Sequence, residues 1–355
     1  MSLYEIILSI ILLLSLGFSF YTKKNEFTWL TIIGIILAIG LKLFVLTGAL
    51  KFFSLAVSFI LFASAASYIF RTLLVLILPK NLSREFKTAP LTAAFGLLVI
   101  LIYFIAAVFA PLIAPFSESE IIAGSFALAD DKMLLGADQL GRDLFSRLIY
   151  GTRNSVGLAL SATLAAFIMG TVAGLIAVTQ GGRIDQILGR ISDVIMSIPS
   201  LIFALLILSI LGPSIAVIVL AVSIIYTPRV FRLTRAVAGS VVVMDFIEAA
   251  RLRGEKNSYL IFKEILPNST APLIAEFGLE FCFVFLLVAG LSFLGLGIQP
   301  PTADWGSMVR ENATLISFGE IIPLIPAAAI ALLTVSVNFV VDWMLYRSSG
   351  LKEQK

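Results

Sequence analysis

Apolar residues fill long uninterrupted blocks along this chain, and charge gathers in the shorter stretches between them. A helix rises 1.5 Å per residue, so about 20 apolar residues cross the roughly 30 Å of bilayer hydrocarbon. Nine blocks meet that length: 3–21, 28–47, 52–78, 91–115, 154–179, 187–211, 214–234, 271–298 and 321–346. They lack the short alternating runs of an outer-membrane barrel, and only helices satisfy their own backbone within a single segment. The expected fold class is therefore all-α: a polytopic membrane protein of about nine transmembrane helices. The least regular block is 28–51, where Lys42 and Lys51 interrupt apolar sequence and are read as snorkelling outward.

The connectors orient these spans. Lys23 and Lys24 lie in the first, Lys80, Arg84 and Lys87 in the third, and Arg183 and Arg190 flank the fifth. Arg229, Arg232, Arg235, Arg251, Arg253, Lys256 and Lys263 crowd 229–265, and Arg347, Lys352 and Lys355 close the chain. Alternating spans bring all of these to one side, which the positive-inside rule makes cytoplasmic. In the opposite connector 116–153, acidic residues outnumber basic ones. The N-terminus is thus expected outside and the C-terminus in the cytoplasm. Residues 3–20 read as a retained helix and not a cleaved signal, because no Lys or Arg precedes them and Glu5 occupies the n-region. The polar stretch 79–90 suggests a boundary, with an N-terminal membrane segment of about three helices in 1–80 and a second domain in 81–355.

Composition narrows the chemistry. Hydrophobic residues make up 59% and charged residues 13%, and mean hydropathy is +1.05. A net charge of +3 gives no reason to expect nucleic acid as a partner. One cysteine, Cys282, sits inside an apolar block, so there is no disulfide framework. The absence of histidine removes His-ligated metals, Ser-His or Cys-His dyads and His proton relays. No G-x-x-x-x-G-K-[ST] sequence is present, so ATP is not bound by a P-loop here. No cofactor, metal or catalytic residue is expected.

One polar stretch is built for more than connection. Asp245, followed three residues later by Glu248, has the form of a helix N-cap with its reciprocal acid. Glu248, Ala249, Ala250 and Arg251 continue as helix-forming sequence, Gly254 breaks it, and a second short helix runs through Tyr259 and Phe262 to a stop near Pro267. Ala249, Ala250 and Gly254 would offer a surface without bulk to another protein. An ordinary charged loop would satisfy composition equally well. The spacing weighs against that reading: Glu-Ala-Ala, three residues, Gly254, then Leu266-Pro267 resembles the signature by which type I importer permeases dock their ATPase subunits.

The resemblance spreads over roughly 90–346, to the dipeptide/oligopeptide permease family and its C-type subunit. Leu135-Gly-Ala-Asp-Gln-Leu-Gly141-Arg142-Asp143-Leu-Phe-Ser-Arg-Leu148 is similar to that family's stretch before its second core helix. Leu291-Ser-Phe-Leu-Gly-Leu-Gly-Ile-Gln-Pro300-Pro301, with Asp304-Trp305-Gly306, is similar to its signature at the external end of the fifth. The resemblance implies a six-helix core with coupling helices at 245–267 and no catalytic role of its own. It implies four kinds of partner: a second permease, ATP-binding subunits, an extracytoplasmic solute-binding protein and the prokaryotic cytoplasmic membrane. Glu248, Ala249, Ala250, Gly254, Leu266 and Pro267 would couple to the ATPase. Four spans before the Gly-Arg-Asp stretch, where the family usually has one, are a departure.

Several polar groups fall within spans: Asp193 before Met196-Ser-Ile-Pro199, Glu276 and Glu280 one turn apart, and Asn338 and Asp342 one turn apart. An intramembrane charge is costly, by about 2.5–3.5 kcal/mol on insertion scales, so each should face protein or water. A pathway lining or gate is one reading; a plain interhelical hydrogen bond or salt bridge to a nearby Arg is the other. Asp193, Asn338 and Asp342 match the family pattern and the two glutamates do not. Pro300, Pro301 and Trp305 read as a rigid external bend with an interfacial aromatic, either touching a binding protein or anchoring the chain. Gly170 and Gly174 form a small-xxx-small pair suited to helix packing. The competing function is a proton- or ion-coupled carrier using Glu276 and Glu280; an intramembrane enzyme or a structural scaffold would leave the Glu-Ala-Ala loop unexplained.

Overall fold

The computed structural model describes residues 48–348, and the expected spans 3–21 and 28–47, with Lys42, lie outside the described residues. The chain divides into two units, Met1–Lys87 and Thr88–Lys355.

In the first unit, α1 (Gly48–Ile77) is a long apolar helix that ends before Pro79. The residue before a proline is driven out of helical geometry, which sets the break. The short polar helix α2 (Lys80–Thr88) follows, and the Ser83 hydroxyl donates to the Val75 carbonyl at 2.9 Å. That bond folds the start of α2 back along the last turn of α1.

The second unit contains α3 (Leu91–Val108), α4 (Leu144–Gln180), α5 (Gly182–Met196), α6 (Ser200–Leu211), α7 (Ile215–Val242), α8 (Asp245–Leu252), α9 (Asn257–Phe293), α10 (Trp305–Asn312) and α11 (Leu324–Ser348). Strands are absent among the described residues apart from isolated bridges, Ile121 with Arg142 and Ala137 with Asp143. Six described helices are long and apolar enough to cross a bilayer, or seven if α5 and α6 count as one span.

Among the expected boundaries that shift, three have a plain local reason. The block 187–211 is not one straight span: α5 and α6 meet at 85°. Pro199 has no N–H to donate and forces Ile198 out of the helix, so the kink becomes a break. The block 154–179 is the later part of α4, which starts at Leu144 because Asp143 caps it, its carboxylate accepting from the Ser146 N–H at 2.7 Å. A π-turn at Thr152–Val156 joins the two parts. The block 214–234 extends two turns further to Val242, carrying Arg229, Arg232 and Arg235 on regular helix.

Apolar burial contributes little to helix association inside lipid, so close backbone approach must supply it. The glycines show where. A Cβ on Gly170 would lie 2.6 Å from Val230 Cβ and 2.8 Å from the Thr227 carbonyl, and one on Gly174 would lie 2.7 Å from Thr234 Cβ. The pair thus sets the α4–α7 crossing, as its spacing suggests. Gly96 does the same for α3 against Ser336 and Val340 of α11, and Gly278 for α9 against Val341. The core between these crossings is filled by Leu158, Ile218, Val222, Phe281, Phe285 and Leu291. Two tyrosines tie helices by hydroxyl donation: Tyr226 to the Phe283 carbonyl at 3.1 Å and Tyr103 to the Ala329 carbonyl at 3.0 Å.

Candidate functional site

Three groups of residues carry the expected chemistry, at three levels of the second unit. At one end, α8 and the first turns of α9 form a hairpin on the tips of α4 and α7. Ile247, Ala250, Leu260 and Ile265 are buried with Leu175 of α4 and Ala238 and Val241 of α7. Helix α9 has 37 residues, about 55 Å at 1.5 Å per residue, so its first turns extend beyond one bilayer thickness.

The hairpin differs from the sequence expectation in three ways. Met244, not Asp245, holds the N-cap position, because the chain turns at Val243 and is already extended at Met244. Asp245 and Glu248 sit in the first helical turn, where their charge still complements the helix dipole. Pro267 does not stop the second helix. A π-stretch at Leu260–Ile265 precedes it and α-helix resumes at Leu266, so the missing N–H falls at a change of hydrogen-bond register. Finally, Ala250 is buried against the helix tips and is not part of an open surface, whereas Glu248, Ala249, Gly254 and Pro267 are exposed.

Gly254 is required by conformation. Its φ is +80°, and no atom lies within 4 Å of a Cβ built on it. The Gly254 N–H donates to the Arg251 carbonyl at 2.9 Å and the Glu255 N–H to the Ala250 carbonyl at 3.2 Å. This paired closure is the Schellman motif, whose left-handed residue is usually glycine. Around it the hairpin exposes apolar residues to which the sequence reading gave no surface role: Val243, Met244, Phe246, Leu252, Tyr259 and Phe262. Leu252 and Phe262 are 84% and 64% exposed, beside the exposed charges Arg251, Arg253 and Lys256. Their signal was present in the sequence as large apolar residues in an otherwise polar connector. Leu266 is half-buried and lines an apolar groove of about 410 Å³ with Phe167, Thr270 and Phe277.

At mid-depth, α7 presents arginines to its neighbours. Arg232 pairs with Asp193 at 2.6 Å and Arg235 with Asp185 at 2.5 Å, tying α5 to α7. Arg229 reaches the Glu280 carboxylate of α9 at 3.9 Å. Glu280 is 2% exposed and Glu276, one turn earlier, is half-buried. Asn338 donates to the Thr334 carbonyl of its own helix at 3.1 Å, and Asp342 is exposed. The structure therefore pairs Asp193 with Arg232, sets Glu280 3.9 Å from Arg229 with Glu276 one turn away on the same helix, and turns Asn338 onto its own backbone.

At the other end, the Gly-Arg-Asp stretch is a buried ionic cluster. Arg142 pairs with Asp138 at 2.7 Å and Glu311 at 3.1 Å; Arg147 pairs with the same two carboxylates at 3.3 and 3.4 Å. Arg147 also donates to the carbonyls of Glu118 and Pro301. Gly141 has φ +79° and packs on the Ala123 carbonyl, a position without room for a side chain. Asp304 caps α10 through Ser307 and accepts from the Ser155 hydroxyl at 2.7 Å.

Trp305 is not the exposed interfacial aromatic expected from sequence. It is 1% exposed, its indole N–H donates to the Leu148 carbonyl at 2.9 Å, and its ring lies on Gly151. The reason is that Asp304 starts α10 and directs the following residue into the space Gly151 leaves. Pro300 and Pro301 are exposed, as a bend would have them.

Comparison with known proteins finds relatives of this chain. The family model described as "Binding-protein-dependent transport system inner membrane component" matches residues 157–349. The di/tripeptide transport system permease protein DppC of Pseudomonas aeruginosa is 37% identical over 255 residues, covering 70% of this chain and 84% of the relative. The dipeptide transport system permease protein DppC of Alkalihalophilus pseudofirmus is 37% identical over 251 residues, covering 70% and 83%. An inward-facing structure of the MetNI methionine ABC transporter is matched over 57% of this chain and 95% of that one, at 16% identity and a TM-score of 0.47. With over half its length matched by the family model and most of the length of these relatives covered, the chain belongs to the family of inner membrane components of binding-protein-dependent transport systems.

Proposed function

We propose that this chain is the C-type permease subunit of an ATP-driven peptide importer. With a second permease it forms the translocation pathway across a prokaryotic cytoplasmic membrane. ATP is hydrolysed on separate ATPase subunits, and an extracytoplasmic solute-binding protein delivers the cargo. The C-terminus and the α8–α9 hairpin face the cytoplasm. The observation that carries this reading is the hairpin: its inner face is locked to the tips of α4 and α7 while its outer face exposes Leu252, Phe262 and charge. Such a rigid, partly apolar projection suits docking to another protein and passing its motion to the helices.

In this reading Glu248, Ala249 and Gly254 meet the ATPase, Ala250 holds α8 to the spans, and Leu266 and Pro267 lie where the hairpin passes into the membrane. Asp193, Glu276, Glu280, Asn338 and Asp342 belong to the pathway or its gate. Gly141, Arg142, Asp143 and Trp305 hold a rigid external cap behind Pro300 and Pro301, where the binding protein is received. Residues 1–80 add a membrane segment to a permease domain in 81–355.

The test is reconstitution of the chain with its partner permease, ATPases and binding protein in liposomes. ATP-dependent uptake of a labelled dipeptide, with co-purification of the ATPase through a tag on this chain, is expected. Purification without any ATPase and dipeptide uptake indifferent to ATP would overturn the reading.

A further inference from the structure

Arg229, Glu276 and Glu280 make an unbalanced charge cluster in the membrane-spanning part of α7 and α9. Residues one turn apart on a helix share a face, and Glu276 and Glu280 both interact electrostatically with the one guanidinium of Arg229. Glu280 is 2% exposed, and its Oε2 atom has no hydrogen-bond partner among the described residues. The nearest nitrogen of Arg229 is 3.9 Å from that oxygen, beyond hydrogen-bonding range. The guanidinium is held there by stacking over two rings, its carbon 4.8 Å from the Phe283 centroid and 5.6 Å from that of Tyr226. The Tyr226 hydroxyl already donates to the Phe283 carbonyl, which fixes the stack.

Two carboxylates against one guanidinium leave room for one further positive charge. Burying a carboxylate without hydrogen bonds is costly, and three N–H donors on a compact cation would satisfy both acids together. Arg229 is 46% exposed and Glu276 half-buried, so the cluster opens on one side. Resting on the importer reading, we propose that Glu276 and Glu280 form a subsite of the pathway for the terminal ammonium group of the peptide, with Arg229 positioning Glu280. The excess of acid selects a cation over the peptide's carboxylate end.

The test compares alanyl-alanine with N-formyl-alanyl-alanine in liposomes carrying the complete complex, each supplied at the same concentration of loaded binding protein. Uptake of the free amine is expected to exceed that of the formyl peptide in the wild type. Glu276→Gln and Glu280→Gln are expected to lower that ratio at least tenfold, and Glu276→Asp to restore most of it. A folding or assembly defect lowers both uptakes alike and leaves the ratio unchanged. An unchanged ratio in Gln variants that still assemble with the second permease and the ATPase and keep their uptake of the formyl peptide overturns the subsite, as does a wild type that carries the two peptides equally. Loss of the second permease from the Gln variants, with the ratio kept, would instead make the cation a basic side chain of that partner. A wild type without ATP-driven uptake of either peptide refutes the importer reading itself.

Discussion

Glu311→Gln should destabilise this protein far more than a typical surface substitution. Glu311 is the second of two carboxylates shared by Arg142 and Arg147, whose side chains are 3% and 1% exposed, while its own is 9% exposed. The four charges balance, and the amide removes one of the two carboxylates that both guanidinium groups share in a water-poor site. Breaking a buried ion pair by removing one partner costs about 3–5 kcal/mol, against roughly 0–1 kcal/mol for an exposed pair. The carbonyls of Glu118 and Pro301 still accept from Arg147 and soften the loss, so the lower end, about 3 kcal/mol, is the figure to expect. For a domain of this size each kcal/mol is about 2–4 °C, which puts the melting temperature in detergent roughly 6–12 °C down. A cycle sharpens the test. Arg142→Met with Glu311→Leu removes one balanced pair and leaves Arg147 with Asp138 at 3.3 Å. That double variant should recover most of the loss, because charge is balanced and apolar volume replaces it. A single variant that melts within a degree of wild type, or a double variant that loses the sum of both singles, would refute the reasoning.

Other substitutions follow from the packing and the caps. Gly174→Ala drives a methyl onto Thr234 Cβ at 2.7 Å and should cost about 1–3 kcal/mol, read as lower thermal stability, with Gly174→Leu failing to yield folded protein. Gly254→Val forces a β-branched residue to φ +80°, at about 1–2 kcal/mol, and should raise hydrogen exchange in 245–256 and weaken ATPase co-purification while the spans stay protected. Asp193→Asn breaks a 2.6 Å pair whose side chains are 53% and 51% exposed, so its melting temperature should move by no more than a few degrees, about 1 kcal/mol or less. Trp305→Ala removes an aromatic wedged on Gly151, Tyr103 and Phe285, and should cost about 3–5 kcal/mol in the same melting assay.

The apolar blocks from 52 onward were legible because crossing a bilayer demands length and hydrophobicity, and both are written linearly. The Glu-Ala-Ala spacing was legible because a left-handed glycine and a proline are chemically specific. What sequence could not locate depends on partners far along the chain. Trp305 looked like an interfacial anchor until Gly151, on another helix, provided the space that buries it. Ala250 and Ala249 are identical in propensity; only the position of Leu175 and Ala238 decides which of them is buried. The two glutamates looked alike for a similar reason, until packing buried Glu280 and left Glu276 half-buried. Helix ends moved where a cap or a π-turn outweighed hydropathy, as at Asp143 and Leu260–Ile265.

The arginines of α7 form a spiral row. Arg229, Arg232 and Arg235 follow one another every three residues, so each is about 4.5 Å further along the axis and about 60° further round it. The first faces α9, over the Phe283 ring and 3.9 Å from Glu280, and the other two pair with α5 through Asp193 and Asp185. The gripping directions at the two ends of the row therefore differ by about 120°. When α7 rolls about its own axis, charges that approach on one flank recede on the other. The tip of the same helix, at Ala238 and Val241, seats the hairpin, so one element carries contacts to α5, α9 and the hairpin. A change in the rotation of α7 would therefore alter its ionic contacts with both neighbours at once.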